Sequence, residues 1–475
     1  MREGRMAMEN AKVRINKITL WDIKSVSYGV INLNAGDLFH QEKSSIMGLY
    51  GQNASGKTVV IEALAIIKYV MSGHKIPQHY LEIISNGKDE CSIEIEFLIA
   101  NEEYNFDCTA RYKCTLARRN DPNESDENPK KIIAVIRERL RARGTDNGEK
   151  FILQDIAQTD ESCPLILPTE KRDLLFGKDQ LALKSLEQQK ILALYGSRSF
   201  IFSAQARKAI MQATHKEVNS VWPQILLMCL IRYMHNCFFV IDELTVRNLD
   251  FHIMKKFGTF DVPINIPSLL SNSIGASNIN VPKELVDDIE ALLPHLNHII
   301  SSIVPGLGLE YECEKVSLGG GDDRYSVELF SHREGLGIFP FRNESLGIKK
   351  IVSFIVLLAE AYNNPSFTLA IDEMDASIFE YLLGEILDIM GNSGKGQLLF
   401  TSHNLRPLER LAPRFVWFTT TDPSNRYVQI NKKATNNLRD MYLRAIQLGH
   451  EDKELYSGDS KHALAYAFRK MGRNK

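Results

Sequence analysis

The residues with the clearest chemistry follow one another directly: Gly51, Gln52, Asn53, Ala54, Ser55, Gly56, Lys57 and Thr58. They fit G-x-x-x-x-G-K-[ST], a loop whose backbone N–H groups surround a β-phosphate, whose lysine reaches the β- and γ-phosphates and whose hydroxyl holds Mg²⁺. The two glycines permit close backbone approach and unusual φ/ψ, and a helix opening near Lys57 points the positive end of its dipole at the phosphates. A chance glycine turn that carries a lysine is the bland alternative. Against it, Ile46, Met47, Leu49 and Tyr50 lead in as a strand, and Val59, Val60, Ile61, Ala63 and Leu64 lead out as a helix, which is the context the motif requires.

Four later segments supply what a bound nucleotide needs for hydrolysis. Residues 344–350 (ESLGIKK) place Ser345 and Gly347 before an apolar helix candidate at 351–361; a small hydroxyl and a glycine at a helix N-terminus make a second anion site. Residues 367–373 (FTLAIDE) read as a buried strand ending in two carboxylates. Asp372 can hold Mg²⁺ through water, and Glu373 can orient and deprotonate an attacking water. Asp375 follows at once. Residues 397–403 (QLLFTSH) read as another buried strand, ending in His403, which can sense a γ-phosphate, and residues 438–448 read as a short closing helix.

The elements that position these groups are legible in hydrophobic spacing. Residues 13–34 alternate as a strand pair, and 92–98, 104–115, 132–136 and 151–156 continue the alternation as a meander. Residues 120–131 (NDPNESDENPKK) form a polar loop. From about 164 to 306 the period shifts towards helix: Leu181, Leu183, Leu186, Ile191, Leu192 and Leu194 mark one candidate, and residues 283–304 recur at three- and four-residue steps despite Pro294. No sustained heptads argue for a long coiled-coil arm. The glycine-rich stretch 317–324 has no following lysine or helix and reads as a hairpin turn between strands at 309–313 and 325–330.

Composition narrows the class. With 44% apolar residues and a net charge of −2, the chain is a globular protein that does not coat nucleic acid wholesale, so any such contact needs a local basic surface. Arg137, Arg139, Arg141 and Arg143 alternate along one strand candidate; they form either a phosphate-facing stripe or, more simply, a solvated strand face. Seven scattered cysteines without a C-x-x-C pair fit reduced thiols in a cytoplasmic protein. No signal peptide opens the chain, and no window reaches the ~20 apolar residues of a membrane span. His295 and His298 lie one helical turn apart without a third ligand and read as ordinary histidines. Residues 237–244 (CFFVIDEL) also end in Asp-Glu, but they precede Ser345 and are not followed by a strand ending in histidine, so Asp242 and Glu243 read as structural.

The order of these segments resembles the ABC-class ATPase head shared by ABC transporter nucleotide domains, RecF and SMC-like proteins. In that resemblance Gly51 to Thr58 stand as Walker A, Ser345 and Gly347 as the signature, Asp372 and Glu373 as Walker B, Asp375 as the D-loop and His403 as the switch histidine. N-A-S-G-K-T, E-S-x-G-x-K-K, I-D-E-x-D-A-S, F-T-S-H-N and N-N-L-R-D-M-Y-L are closer still to stand-alone bacterial OLD-like AAA-family ATPases, many of them found in anti-phage systems of the PARIS, Septu and retron-associated kinds. The resemblance covers most of residues 13–75 and 325–450. Ile348 stands where the family usually has Thr, and Ile378 and Phe379 where it often has Leu-His. A Q-loop glutamine has three candidates, Gln154, Gln158 and Gln205.

The resemblance implies an α/β fold: a P-loop ABC-type head, with a mixed sheet, flanking helices and an antiparallel β-meander, interrupted by a helical insertion. The divisions are 1–160 for the N-terminal lobe, 161–308 for the mainly helical insertion, 309–450 for the C-terminal lobe and 451–475 for a tail. It also implies ATP and Mg²⁺ as ligands, with Thr58 and Asp372 at the metal and Lys57, Glu373 and His403 as catalytic groups. ATP would be buried between two heads of a homodimer or higher oligomer. Three functions compete: a sensor or scaffold ATPase in defence that controls a separate effector (a nuclease or toxin), a DNA-repair or DNA-end ATPase of the RecF or SMC kind, and an ABC transporter subunit. Modest charge and the missing coiled coil favour the first, and the insertions leave the third without a membrane role. No TOPRIM-type nuclease fits into the roughly 70 residues after His403, judged by ordinary domain size.

Overall fold

Alternating apolar residues build the first layer of the structure, a computed structural model. It describes residues 11–121, 130–163, 165–213, 222–242, 253–257, 260–264, 279–316, 324–333, 335, 337–378, 380–429, 438–440, 442, 466 and 469–470. Strands β1 (Lys12–Ile23) and β2 (Val26–Asn32) form a hairpin, after which β3 (Ser45–Tyr50) leads through the phosphate loop into α1 (Lys57–Met71). β4 (Glu90–Asn101), β5 (Phe106–Asn120), β6 (Lys131–Asp146) and β7 (Glu149–Asp160) then extend β1 into an antiparallel sheet of order β2-β1-β4-β5-β6-β7. On β4, Ile93, Ile95, Phe97 and Ile99 are fully buried, the period-two pattern of a sheet with one face on the core.

The arginine stripe lies wholly on β6, and acids on neighbouring strands meet two of its members. Arg139 pairs with Asp155 on β7 at 2.6 Å and Arg141 with Glu94 on β4 at 3.3 Å, beside an Arg111–Glu96 pair at 2.6 Å. Arg137 and Arg143 remain exposed. The exposure of these two fits either alternative, a solvated face or a phosphate-facing one.

Four helices follow: α2 (Thr169–Phe176), α3 (Gln180–Tyr195), α4 (Ala204–Ala213) and α5 (Trp222–Asn236). Of the leucines and isoleucines that mark α3, Leu183, Leu186 and Leu194 are buried, whereas Leu181, Ile191 and Leu192 face solvent. The chain then enters β8 (Phe238–Ile241), a short hairpin of β9 (Ile253–Phe257) and β10 (Phe260–Ile264), β11 (Ile279–Pro282) and the Pro294-containing helix α6 (Lys283–Ile303). β12 (Leu307–Val316) and β13 (Arg324–Arg333) pair antiparallel as expected, Val316 opposite Arg324, and β14 (Gly337–Pro340) joins them. The turn between β12 and β13 lies outside the described residues. His295 and His298 sit on α6, and among the described residues no His, Cys, Asp or Glu cluster can hold a metal by itself.

The last third completes a second sheet. α7 (Leu346–Asn363), β15 (Thr368–Ile371), α8 (Glu380–Ser393), β16 (Gln397–Thr401), β17 (Val416–Thr419) and β18 (Tyr427–Val428) give the order β18-β17-β3-β16-β15-β8. All its pairings are parallel except β17–β18. Its strands are buried throughout and mostly apolar, as expected of parallel strands covered on both faces. Met47, Leu49, Ala370 and Leu399 pack with α1 and the meander; Ile46, Tyr50, Leu369, Ile371, Leu398 and Phe400 pack on the other side with α7, α8, β12 and β13. α1 is consequently sandwiched between two sheets, which explains why it is apolar on nearly every side.

The mixed α/β class with its antiparallel meander is thus observed. Residues 161–308 hold five of the helices named above and also β8, an edge strand of the second sheet. Of the expected closing helix, residues 438–440 and 442 are described as helical, with Tyr442 stacked on Phe418 at 4.8 Å; the remainder lies outside the described residues, as do Glu243, Phe379 and most of the tail. Among the described residues no helix is long and apolar enough to cross a membrane.

Candidate active site

In a parallel sheet the carboxyl ends of neighbouring strands open onto a common crevice, where ligands bind. Here that end carries Gly51 after β3, His403 after β16, Asp372 after β15 and Asp242 after β8.

The phosphate loop is shaped by backbone that side chains would obstruct. Gly56 has φ 93° and Ala54 φ 60°, left-handed values that turn successive N–H groups inward. A Cβ on Gly51 would lie 1.7 Å from Thr419 Oγ1. The Thr419 hydroxyl donates to Ser55 Oγ at 2.5 Å, and Ser55 Oγ donates to Gln52 O at 2.6 Å. From β18, the Tyr427 hydroxyl donates to Gly56 O at 2.8 Å, while buried Arg426 donates to Thr420 O and Ser25 O, joining β17–β18 to the β1–β2 turn. Thr419, Arg426 and Tyr427 were not identified from the sequence. They come from a different, distant hairpin and carry no motif.

Lys57 is the first residue of α1 and only 6% exposed. Its ammonium donates to Gly51 O and Gln52 O, both at 2.8 Å, leaving a third donor for a phosphate oxygen. Burial lowers its pKa, against the pull of the Asp372, Glu373 and Asp375 carboxylates. Thr58 follows with an exposed hydroxyl that donates to Asp372 Oδ1 at 3.4 Å. A hydroxyl and a carboxylate oxygen facing each other at this spacing are hard donors of the kind Mg²⁺ prefers, so the residues present fit that ion.

The carboxylates are held by the neighbouring strands. Asp372 N donates to Ile241 O at 2.8 Å, and Asp372 Oδ1 accepts from the Thr401 hydroxyl at 2.5 Å. Glu373 turns the chain at φ 47°, ψ 57°, a left-handed conformation uncommon outside glycine, and its N–H donates to Thr401 Oγ1 at 2.8 Å. Asp375 Oδ2 accepts from His403 N at 3.1 Å and Asn404 N at 2.8 Å, so it fixes the loop after β16. His403 Nε2 stands 4.0 Å from Glu373 Oε1, with both side chains partly exposed.

Within one chain, therefore, Lys57, Thr58, Asp372, Glu373, Asp375 and His403 come together around the loop. Ser345 caps α7, its Oγ accepting from Ile348 N at 3.3 Å, and among the described residues no hydrogen bond or ion pair ties it to residues 51–58. Of the glutamine candidates, Gln154 and Gln158 lie on β7 and Gln205 on α4. Beside Asp372 stands Asp242, with Ile241 opposite Ile371 in parallel register, and the Tyr80 hydroxyl donates to Asp242 Oδ2 at 3.1 Å. The segment 237–242 therefore supports the Asp372 strand from its edge, a place that sequence order alone does not reveal.

No protein-family model and no curated protein matches this chain. Among solved structures, it is similar to the Smc head bound to the C-winged helix domain of ScpA, at 12% identity and a TM-score of 0.42, covering 88% of this chain and 98% of that one. It is similar also to the SMC head domain from Thermotoga maritima (14% identity, TM-score 0.32, covering 88% and 100%) and to RecF bound to ATP from the RecFOR pathway (10% identity, TM-score 0.36, covering 88% and 100%).

Proposed function

We propose that the chain is an ABC-class ATPase that binds Mg²⁺·ATP at residues 51–58 and hydrolyses it to ADP and phosphate. The observation that carries this reading is the convergence of Lys57, Thr58, Asp372 and Glu373 at the carboxyl ends of β3 and β15, with Thr58 and Asp372 oxygens 3.4 Å apart. Backbone N–H groups of residues 51–58 cradle the phosphates, and the remaining Lys57 donor neutralises charge on the γ-phosphate as the bond to it breaks. Mg²⁺ would be held by Thr58 and Asp372 and, when bound, would supply charge neutralisation at the phosphates. Glu373 orients and deprotonates the attacking water, and His403, 4.0 Å from it, faces the same water and γ-phosphate.

Ser345, which caps α7, and Gly347 in its first turn act in this reading on the ATP of a second copy. ATP then sits between two heads, closing a homodimer on binding and releasing it on hydrolysis. The same motifs support a place in anti-phage defence, as the sensor or scaffold ATPase that holds a separate nuclease or toxin effector. A DNA-end or repair role is the second reading; the exposed guanidinium groups of Arg137 and Arg143 favour it.

ATP hydrolysis by the purified chain tests the first claim. Lys57→Ala is expected to weaken ATP binding at least about a hundredfold, and Glu373→Gln to keep ATP binding while lowering kcat by about a hundredfold or more. Normal turnover in Glu373→Gln would remove Glu373 as the base, and normal binding in Lys57→Ala would remove the phosphate-loop reading itself.

A further inference from the structure

One hydroxyl lies between the two carboxylate residues of the site. Thr401, the last residue of β16, is fully buried. Its Oγ1 donates to Asp372 Oδ1 at 2.5 Å and accepts from Glu373 N at 2.8 Å. A threonine hydroxyl has a single proton, an ionised carboxylate can only accept, and a backbone N–H can only donate, so both hydrogen bonds have a fixed direction. The parallel register makes this geometry possible: Ile371 lies opposite Phe400, so the residues that follow them, Asp372 and Thr401, leave the two strands side by side.

The two bonds have separate consequences. The first holds the carboxylate plane of Asp372, whose Oδ1 also faces the Thr58 hydroxyl at 3.4 Å. The second anchors the peptide N–H at the point where the chain turns through the left-handed conformation of Glu373. That turn is uncommon for a residue with a side chain and persists where surrounding contacts over-determine it. It sets the direction in which the Glu373 carboxylate leaves the strand.

We propose that Thr401 is a positioning residue for hydrolysis, its one hydroxyl setting both the metal-facing carboxylate of Asp372 and the backbone turn that aims Glu373. The proposal rests on the ATPase reading above. Thr401 is buried behind the two carboxylate residues and acts through them. A hydroxyl that couples them makes metal binding and water activation fall together when it is lost, whereas a methyl group that merely fills space does not.

Steady-state ATPase assays over a Mg²⁺ series, with Thr401→Val and Thr401→Ser beside the wild type, test it. Thr401→Val keeps the branched shape and loses the hydroxyl: kcat is expected to fall at least about tenfold and half-saturating Mg²⁺ to rise several-fold, with ATP affinity in EDTA within about threefold of wild type. Thr401→Ser keeps the hydroxyl and is expected to stay within about threefold of wild type in kcat and Mg²⁺ dependence. A Thr401→Val protein with wild-type kcat and Mg²⁺ dependence overturns the positioning role and leaves the ATPase reading standing. So does a Thr401→Ser protein as impaired as a valine or alanine variant, because volume and not the hydroxyl would then matter; this arm decides the question even when Thr401→Val does not fold. A wild type that neither binds nor hydrolyses Mg²⁺·ATP overturns both readings.

Discussion

Gly51 has no room for a side chain, and the obstacle is a residue more than three hundred positions away. Its ideal Cβ would sit 1.7 Å from Thr419 Oγ1 and 3.0 Å from Ser55 Oγ, so an alanine must push β17 away or deform the phosphate loop. Gly51→Ala is expected to weaken ATP binding at least about tenfold, and adding Thr419→Ala to recover part of that loss by removing the clashing oxygen. Titration with a fluorescent ATP analogue measures both; no recovery in the double variant would place the damage in the loop's own backbone. At this scale the sequence was informative wherever chemistry demands a residue type at fixed local spacing. Gly51, Lys57, Thr58, Asp372, Glu373 and His403 all announced themselves in that way. Thr401, Thr419 and Tyr427 did not, because a hydroxyl on a strand becomes a site residue only through register with strands far away in the chain.

Among the elements, α1 carries the loop at one end and a buried cation towards the other. Lys68 donates to Met234 O and Phe238 O, at the end of α5 and in β8, with its ammonium 4.7 Å from the Phe239 ring centroid. Burial brings its pKa down from 10.5 to about 7; it also pulls neighbouring His235 down to about 4 and pushes Cys237 up to about 11, so both stay neutral around Lys68 at neutral pH. The folded pKa of Lys68 lies below its unfolded value, so between the two the unfolded chain binds more protons and stability rises with pH. From about pH 7 to 10 the slope from this one group is at most about 1.4 kcal/mol per pH unit. Urea midpoints of wild type and Lys68→Met across that range check this: the variant should lose the upward slope, and an unchanged slope would assign it to another group. Asp242, which follows β8, reads as structural, and the pairing of β8 with β15 agrees with that: β8 flanks the Asp372 strand, a neighbour that order in the sequence does not reveal. The meander was legible from alternation because its strands pair with sequence neighbours.

For the whole molecule, the proposed switch predicts a change of mass with nucleotide. Glu373→Gln with Mg²⁺·ATP is expected to run as a dimer in light scattering and to return to its nucleotide-free state when ATP is replaced by ADP; Ser345→Arg should abolish the ATP-dependent dimer while leaving ATP binding to the single chain. A Glu373→Gln protein of unchanged mass would separate hydrolysis from assembly. Duplex DNA is expected to change the ATPase rate less than about twofold, since half the β6 arginines are already paired with acids. Strong stimulation that Arg137→Glu and Arg143→Glu remove would instead favour the DNA-end reading.

The position of β3 also governs how the molecule is made. Its partners in the sheet are β16 and β17, which begin at Gln397 and Val416. At ~5–20 residues per second of synthesis, β3 waits about 20 to 70 s for a neighbour. During that interval both its edges lack their final partners, and one face of α1 lacks its cover. The meander that follows at once in the sequence can shelter the other face of α1 early, because β4 to β7 need no later residue to pair. The folding order written into the topology is therefore meander and α1 first, phosphate loop last. The loop at residues 51–58 gains its full surroundings only when the end of the chain closes over its beginning.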